Sequence, residues 1–155
     1  MSTTWILCAN ASRARLFEVV AHSDTPREVR DFANPAARAH ERDLDSDASG
    51  RFYGRGEHQG HAAAPHESTA EHETERFAES LREYLDRARS EHRFARLWVV
   101  ASPAFLGHLR RNFGKPLAEC IELTVDKDFT TDTPTEIFRR ALAERDAQSC
   151  ESAGS

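Results

Sequence analysis

The 155-residue chain predicts an α/β fold, a three-layer sandwich with a five-stranded mixed sheet of order 3-2-1-4-5 built βββαβαβα. Three observations carry this expectation. Two apolar runs, Trp5–Ala9 and Leu16–Val20, flank the polar segment Asn10-Ala11-Ser12-Arg13. Runs of this length bounded by turn formers read as the two strands of an antiparallel hairpin. Far downstream, Leu97–Ala101 (LWVVA) is apolar without alternation, the pattern of a strand buried on both faces. Between them, Phe77, Leu81, Tyr84, Leu85 and Ala88 fall at helical spacing and make one apolar stripe.

The elements follow in order. The first strand is Trp5–Ala9 and the second Arg15–Val20. A third, Glu28–Ala33 (EVRDFA), sets Val29 and Phe32 among charged residues, which suits a strand near the sheet edge with one face exposed. Asn34-Pro35 stops it, because Pro has no N–H for the ladder and restricts its neighbour. The long helix is expected over Glu67 to about Arg93, opened by a Ser68/Glu71 capping box, with acidic residues early and arginines late to match its dipole. After Leu97–Ala101, Ser102-Pro103 reads as an N-cap followed by Pro at the first helical position. The short helix so opened carries Phe105, Leu106, Leu109 and Phe113 and ends near Gly114. Cys120–Val125 is the last strand. Thr133-Pro134-Thr135-Glu136 joins a capping box to a first-position Pro and opens a final helix with Ile137, Phe138, Ala141 and Leu142 inward. Right-handed helical crossovers then place the fourth and fifth strands parallel to the first. The outline is a ribonuclease H-like topology.

Length and composition suit a single domain over 1–145 with a real core, carrying a mobile Gly/His-rich loop at 38–65 and a flexible tail at 146–155. The loop holds four of the seven glycines and few large apolar residues, so it cannot bury enough surface to offset its ordering entropy. The net charge of −5 argues against a broad basic nucleic-acid surface and leaves room for a local one. No secretion signal and no run long enough to span a bilayer is visible, so a cytoplasmic location is expected. Cys8, Cys120 and Cys150 are too few and too scattered for a disulfide framework or a CxxC metal site.

Taken together, TWILCANASRARLFEVV, REVRDFANPAAR, DLDSDASGRFYGRG, ERFAESLREYLDRARSEHRFARLWVVASPAFLGHLRR and VDKDFT, in this order and at this spacing, resemble the bacterial host attachment protein family. The resemblance runs from about Thr4 to Leu142. The family label, "protein required for attachment to host cells", states a phenotype and names no reaction. The family in turn resembles, more distantly, the middle domain of archaeo-eukaryotic class-one release factors. In those factors a Gly-Gly-Gln tip between the third strand and the long helix enters the ribosomal peptidyl-transferase centre and helps water hydrolyse peptidyl-tRNA. Here the same slot holds Gly54-Arg55-Gly56-Glu57-His58-Gln59-Gly60. Glu57 and His58 separate Gly56 from Gln59, so there is no Gly-Gly-Gln. The resemblance implies the ribosome or tRNA as a partner and makes Gln59 the candidate catalytic residue.

The loop's own composition points the same way. Arg51 and Arg55 flank glycines and Phe52-Tyr53 offer stacking, a combination that grips phosphates and unpaired bases. Gly56, His58, Gln59, Gly60 and His61 complete the candidate RNA- or partner-binding set, with the histidines adding charge below neutral pH. A metal reading of the same stretch uses His58, His61 and His66, at spacings that match no standard zinc motif. A ribonuclease H-type carboxylate cluster would have to use Asp31, Asp126 and Asp128, yet the first strand supplies no carboxylate. A turn capped by Asp126 explains that stretch more simply. Arg13 and Arg15 beside the first hairpin can pair with carboxylates or meet a partner's phosphate. His108, Arg110, Arg111 and Lys115 form a small basic patch on the second helix.

The leading expectation is a non-enzymatic, cytoplasmic, release-factor-like domain that binds the ribosome or RNA through its long loop. The alternatives are a degenerate peptidyl-tRNA hydrolase or ribosome rescue factor, and a protein-interaction module affecting host-cell attachment. No cofactor, no DNA and no membrane partner is expected. The oligomeric state is not readable.

Overall fold

A computed structural model describes residues 2–36 and 56–154, with side chains described for 2–36 and 69–151. Five strands, β1 (Thr4–Ala9), β2 (Arg13–Glu18), β3 (Arg27–Ala33), β4 (Arg96–Ala101) and β5 (Ile121–Val125), form one sheet of order β3-β2-β1-β4-β5. The first three pair antiparallel; β4 pairs parallel with β1, and β5 parallel with β4. This is the mixed sheet and strand order that the sequence predicts.

Period-two alternation divides the strands between two cores. Trp5, Leu7, Ala9, Leu16, Leu97 and Val99 face helix α1 (Gly56–Ser90) and helix α2 (Pro103–Asn112), where Phe77, Leu81, Leu85, Phe105 and Leu109 meet them. A four-residue helix α3 (Lys115–Ala118) adds Leu117 to this layer. Ile6, Cys8, Phe17, Trp98, Val100 and Leu123 face the other way, towards Ile137 and Ala141 of helix α4 (Pro134–Gly154). β1 and β4 are therefore buried on both sides, which is why neither alternates in sequence. Trp98 stacks on Phe138 with 6.0 Å between ring centroids and donates its indole N–H to Glu122.

Local signals hold where they rest on backbone chemistry. Asn10 Oδ1 accepts the N–H groups of Ser12 and Arg13 at 2.8 and 2.9 Å and shapes the first hairpin turn. Thr133 and Glu136 exchange the two hydrogen bonds of a capping box, each at 3.2 Å. Pro103 sits where it should at the start of α2, although Ser102 makes no side-chain cap bond.

Two helices are longer than the sequence suggests. α1 begins at Gly56, eleven positions before Glu67, so Ser68 and Glu71 lie inside it and form no capping box at its start. The expected loop at 38–65 therefore ends in helix from Gly56 onward, and residues 37–55 lie outside the described residues. The physical reason is that the apolar stripe in the sequence begins only at Phe77, the first buried residue among the described side chains of α1. Upstream, Ala62-Ala63-Ala64 supply helix propensity without any stripe. α4 likewise takes in 146–154, the stretch expected as a tail. Gln148 Nε2 there donates to the Thr124 carbonyl at 3.0 Å. Cys120 falls in the turn before β5, half-buried, with Cys8 buried and Cys150 exposed.

Candidate functional site

The slot between β3 and α1, where the sequence places its candidate site, is held firmly on its β3 side. Asn34, at the exit of β3, is 4% exposed. Its backbone N–H donates to the Ser12 carbonyl and its side-chain amide to the Ala11 carbonyl, at 2.9 and 3.0 Å. The chain leaving the edge strand is thus pinned to the β1–β2 turn. On the other side the slot ends in α1. About twenty residues of helix, roughly 30 Å at 1.5 Å per residue, precede Phe77, the first buried residue among the described side chains of α1.

The candidate residues distribute unevenly over this frame. Arg51, Phe52, Tyr53 and Arg55 lie outside the described residues. Gly56, His58, Gln59, Gly60 and His61 lie in the first turns of α1, and His66 follows in the same helix; their side chains are outside those described. His58 and His61 are three apart on this helix. Among the described residues, no group of three His, Cys, Asp or Glu side chains converges to hold a metal ion.

The carboxylates are dispersed. Asp31 lies on β3 and Asp126 follows β5, at opposite edges of the sheet, roughly 19 Å apart at the usual strand spacing. Asp31 takes a two-pronged contact from Arg13, at 2.9 and 3.3 Å, and this hydrogen bonding raises the Arg13 pKa. The turn after β5 is closed by Asp128, not by Asp126. Asp128 Oδ1 accepts from the Thr130 N–H and hydroxyl, and Oδ2 from the Asn10 amide at 2.9 Å. These bonds outweigh partial burial and hold its pKa below the ordinary value. Asp126 is exposed and lines a shallow cavity of about 310 Å³ with Leu106, Arg110 and Thr124.

Sequence reasoning named Arg15 without its role. Its side chain is 10% exposed. One guanidinium nitrogen donates to the carbonyls of Thr130 and Asp132, at 3.0 and 2.8 Å. Its Nε stands 3.5 Å from Glu28, and the group lies 5.0 Å above the Phe17 ring. Arg15 therefore ties β2 to the loop that leads into α4. The neighbouring Cys8 is sealed beneath this loop, and burial, reinforced by Asp128, pushes its thiol pKa up to about 12. A thiol so held is no nucleophile at neutral pH.

The basic patch expected on the second helix is partly neutralised. His108 Nδ1 lies 2.5 Å from Glu75 of α1, Asn112 donates to the other carboxylate oxygen at 2.7 Å, and Arg111 approaches at 3.3 Å. Nδ1 also lies 2.9 Å from the Arg111 guanidinium, so the imidazole sits between Glu75 and Arg111. These bonds, His108 first, lower the Glu75 pKa. The arrangement docks α2 on α1, leaving Arg110 and Lys115 exposed.

None of these described groups forms a catalytic constellation, and no helix among the described residues is long and apolar enough to cross a membrane. No curated protein matches the chain. The pattern of the family described as "Protein required for attachment to host cells" does match, over residues 5–140. That span takes in every strand, the hairpin and the whole β3–α1 slot, and the chain belongs to this host attachment family.

Proposed function

We propose that this chain is a non-enzymatic RNA-binding member of the host attachment family, which contacts the ribosome, tRNA or another RNA through the segment from Arg51 to His61. What supports the reading is what brackets that segment in the chain: upstream, β3 exits at Asn34, which is pinned to the β1–β2 turn, and downstream α1 is already helical from Gly56. A glycine-, arginine- and aromatic-rich stretch between a sheet edge and a helix is suited to entering a groove while the sheet stays outside. Its residue types supply phosphate contacts and stacking.

Co-sedimentation with ribosomes tests this at low and at physiological salt. The wild-type chain should pellet with ribosomes, and Arg51→Gln/Arg55→Gln should reduce the bound fraction. No binding above background at either salt overturns the proposal. Peptidyl-tRNA hydrolysis that depends on Gln59, compared in wild type and Gln59→Ala, would overturn its non-enzymatic part.

A further inference from the structure

β3 carries four charged residues, and three of them are used within the sheet. Arg27 pairs with Glu18, Glu28 with Arg15 and Asp31 with Arg13. Arg30 is the exception: among the described residues no carboxylate pairs with it, and it is exposed. Its guanidinium lies 5.5 Å from the Phe32 ring centroid and 5.3 Å from that of Tyr84 on α1. Arg93, also exposed and without a described carboxylate partner, lies 5.8 Å from the same Tyr84 ring and 5.1 Å from Trp5. It also donates to the Tyr84 hydroxyl at 3.3 Å. Phe32 and Tyr84 meet edge to face at 5.3 Å, and Trp5 stacks on Phe94 at 4.9 Å. Two guanidinium groups are thus set around one half-buried tyrosine, on a line of rings running from the edge strand to the end of α1.

These ring contacts hold both guanidinium groups beside Tyr84 while Arg30 and Arg93 stay exposed to solvent. A pre-set planar fork is suited to bidentate contact with a phosphate, and its outer face can carry an unpaired base. Two such forks on neighbouring elements match successive phosphates of one strand better than a single carboxylate. The β-bulge between Arg30 and Glu28 opposite Leu16/Phe17 bends this edge, which disfavours a strand of another chain as the occupant.

We infer that Arg30 and Arg93, held by Tyr84, form a phosphate-binding ladder for single-stranded RNA on the β3–α1 face. This rests on the proposed RNA-binding function and adds a second contact surface outside the Arg51–His61 segment.

The test uses fluorescence anisotropy of a labelled twelve-residue oligouridylate with the full chain, over a salt series. Arg30→Gln/Arg93→Gln should weaken binding about tenfold at low salt. It should also flatten the plot of log affinity against log salt by about 1.4, the loss of two single-strand phosphate contacts. Arg30→Lys/Arg93→Lys keeps both charges and should recover most of the slope. If the wild type binds and the glutamine variant keeps both affinity and slope, the ladder is overturned while the Arg51–His61 reading stands. If Arg51→Gln/Arg55→Gln binds normally while the ladder variant fails, the ladder stands and that reading falls. No binding by the wild type overturns both. A phosphotyrosine peptide displacing the oligomer at equal concentration would overturn RNA as the occupant.

Discussion

Replacing Arg15 by Met should be among the most damaging single changes that this structure can suffer without emptying its core. Met preserves much of the stem volume and removes the guanidinium. Two charge-assisted hydrogen bonds to the Thr130 and Asp132 carbonyls are lost, each worth about 1.5–3 kcal/mol. The pair with Glu28 adds little, because that carboxylate is 38% exposed and such pairs are worth under about 1 kcal/mol. The contact with the Phe17 face adds about 0.5–1 kcal/mol. These terms share one group and do not add fully, so the expected loss is about 3–5 kcal/mol. With an m-value of about 2 kcal/mol/M in urea, the unfolding midpoint should fall by about 1.5–2.5 M. Arg13→Met is the control. Its pair with Asp31 is 37% and 48% exposed, and its midpoint should move by less than about 0.5 M. Equal midpoints for the two variants would refute the reasoning that burial separates these two arginines.

Two further outcomes follow from the α1–α2 contact and from the end of α1. The folded-state pKa of Glu75 lies below its ordinary value, so its contribution is present above about pH 4.3. That contribution disappears as pH falls through the lowered folded value. Glu75→Gln should therefore be less stable than wild type at pH 7 by roughly 0.5–1 kcal/mol, since the side chain is 41% exposed. Thermal melts should converge as pH falls below about 4.3; a gap that does not narrow with acidification would contradict the assignment. His92, just past α1, has φ 60, a left-handed conformation that favours glycine. His92→Gly should raise stability by about 0.5–1 kcal/mol and His92→Val should lower it. A glycine variant that melts below the wild type would show that the imidazole holds this turn by contact.

Strand identity and order were legible because β1 and β4 lack alternation while β3 has it, and because the Asn10 turn and the Thr133/Glu136 box are local chemistry. The start of α1 was not legible. Period analysis detects an apolar stripe, and the sequence of α1 shows none before Phe77. The last turns of α4 were hidden for a similar reason, since Gln148 reaches Thr124 across 24 positions and leaves no local trace. At the site, Arg15 was legible only as a cation beside the hairpin, able to pair with a carboxylate or a phosphate. Its partners, more than a hundred residues away, could not be named from spacing. Asp128, rather than Asp126, closes its turn because Thr130 two residues on supplies both N–H and hydroxyl.

The parallel register of β1 with β4 sets Thr4 against Arg96, about 90 residues later. β1, β2 and β3 are contiguous and can pair as soon as they leave the ribosome. The second edge of β1 must wait. At 5–20 residues per second, the wait is roughly 5–20 s. Throughout it, a strand apolar on both faces stands with an open row of amides and carbonyls. Premature association of nascent chains should therefore compete at this stage of synthesis. Slowed elongation between codons 34 and 96 should lower the soluble yield even though the finished protein is unchanged.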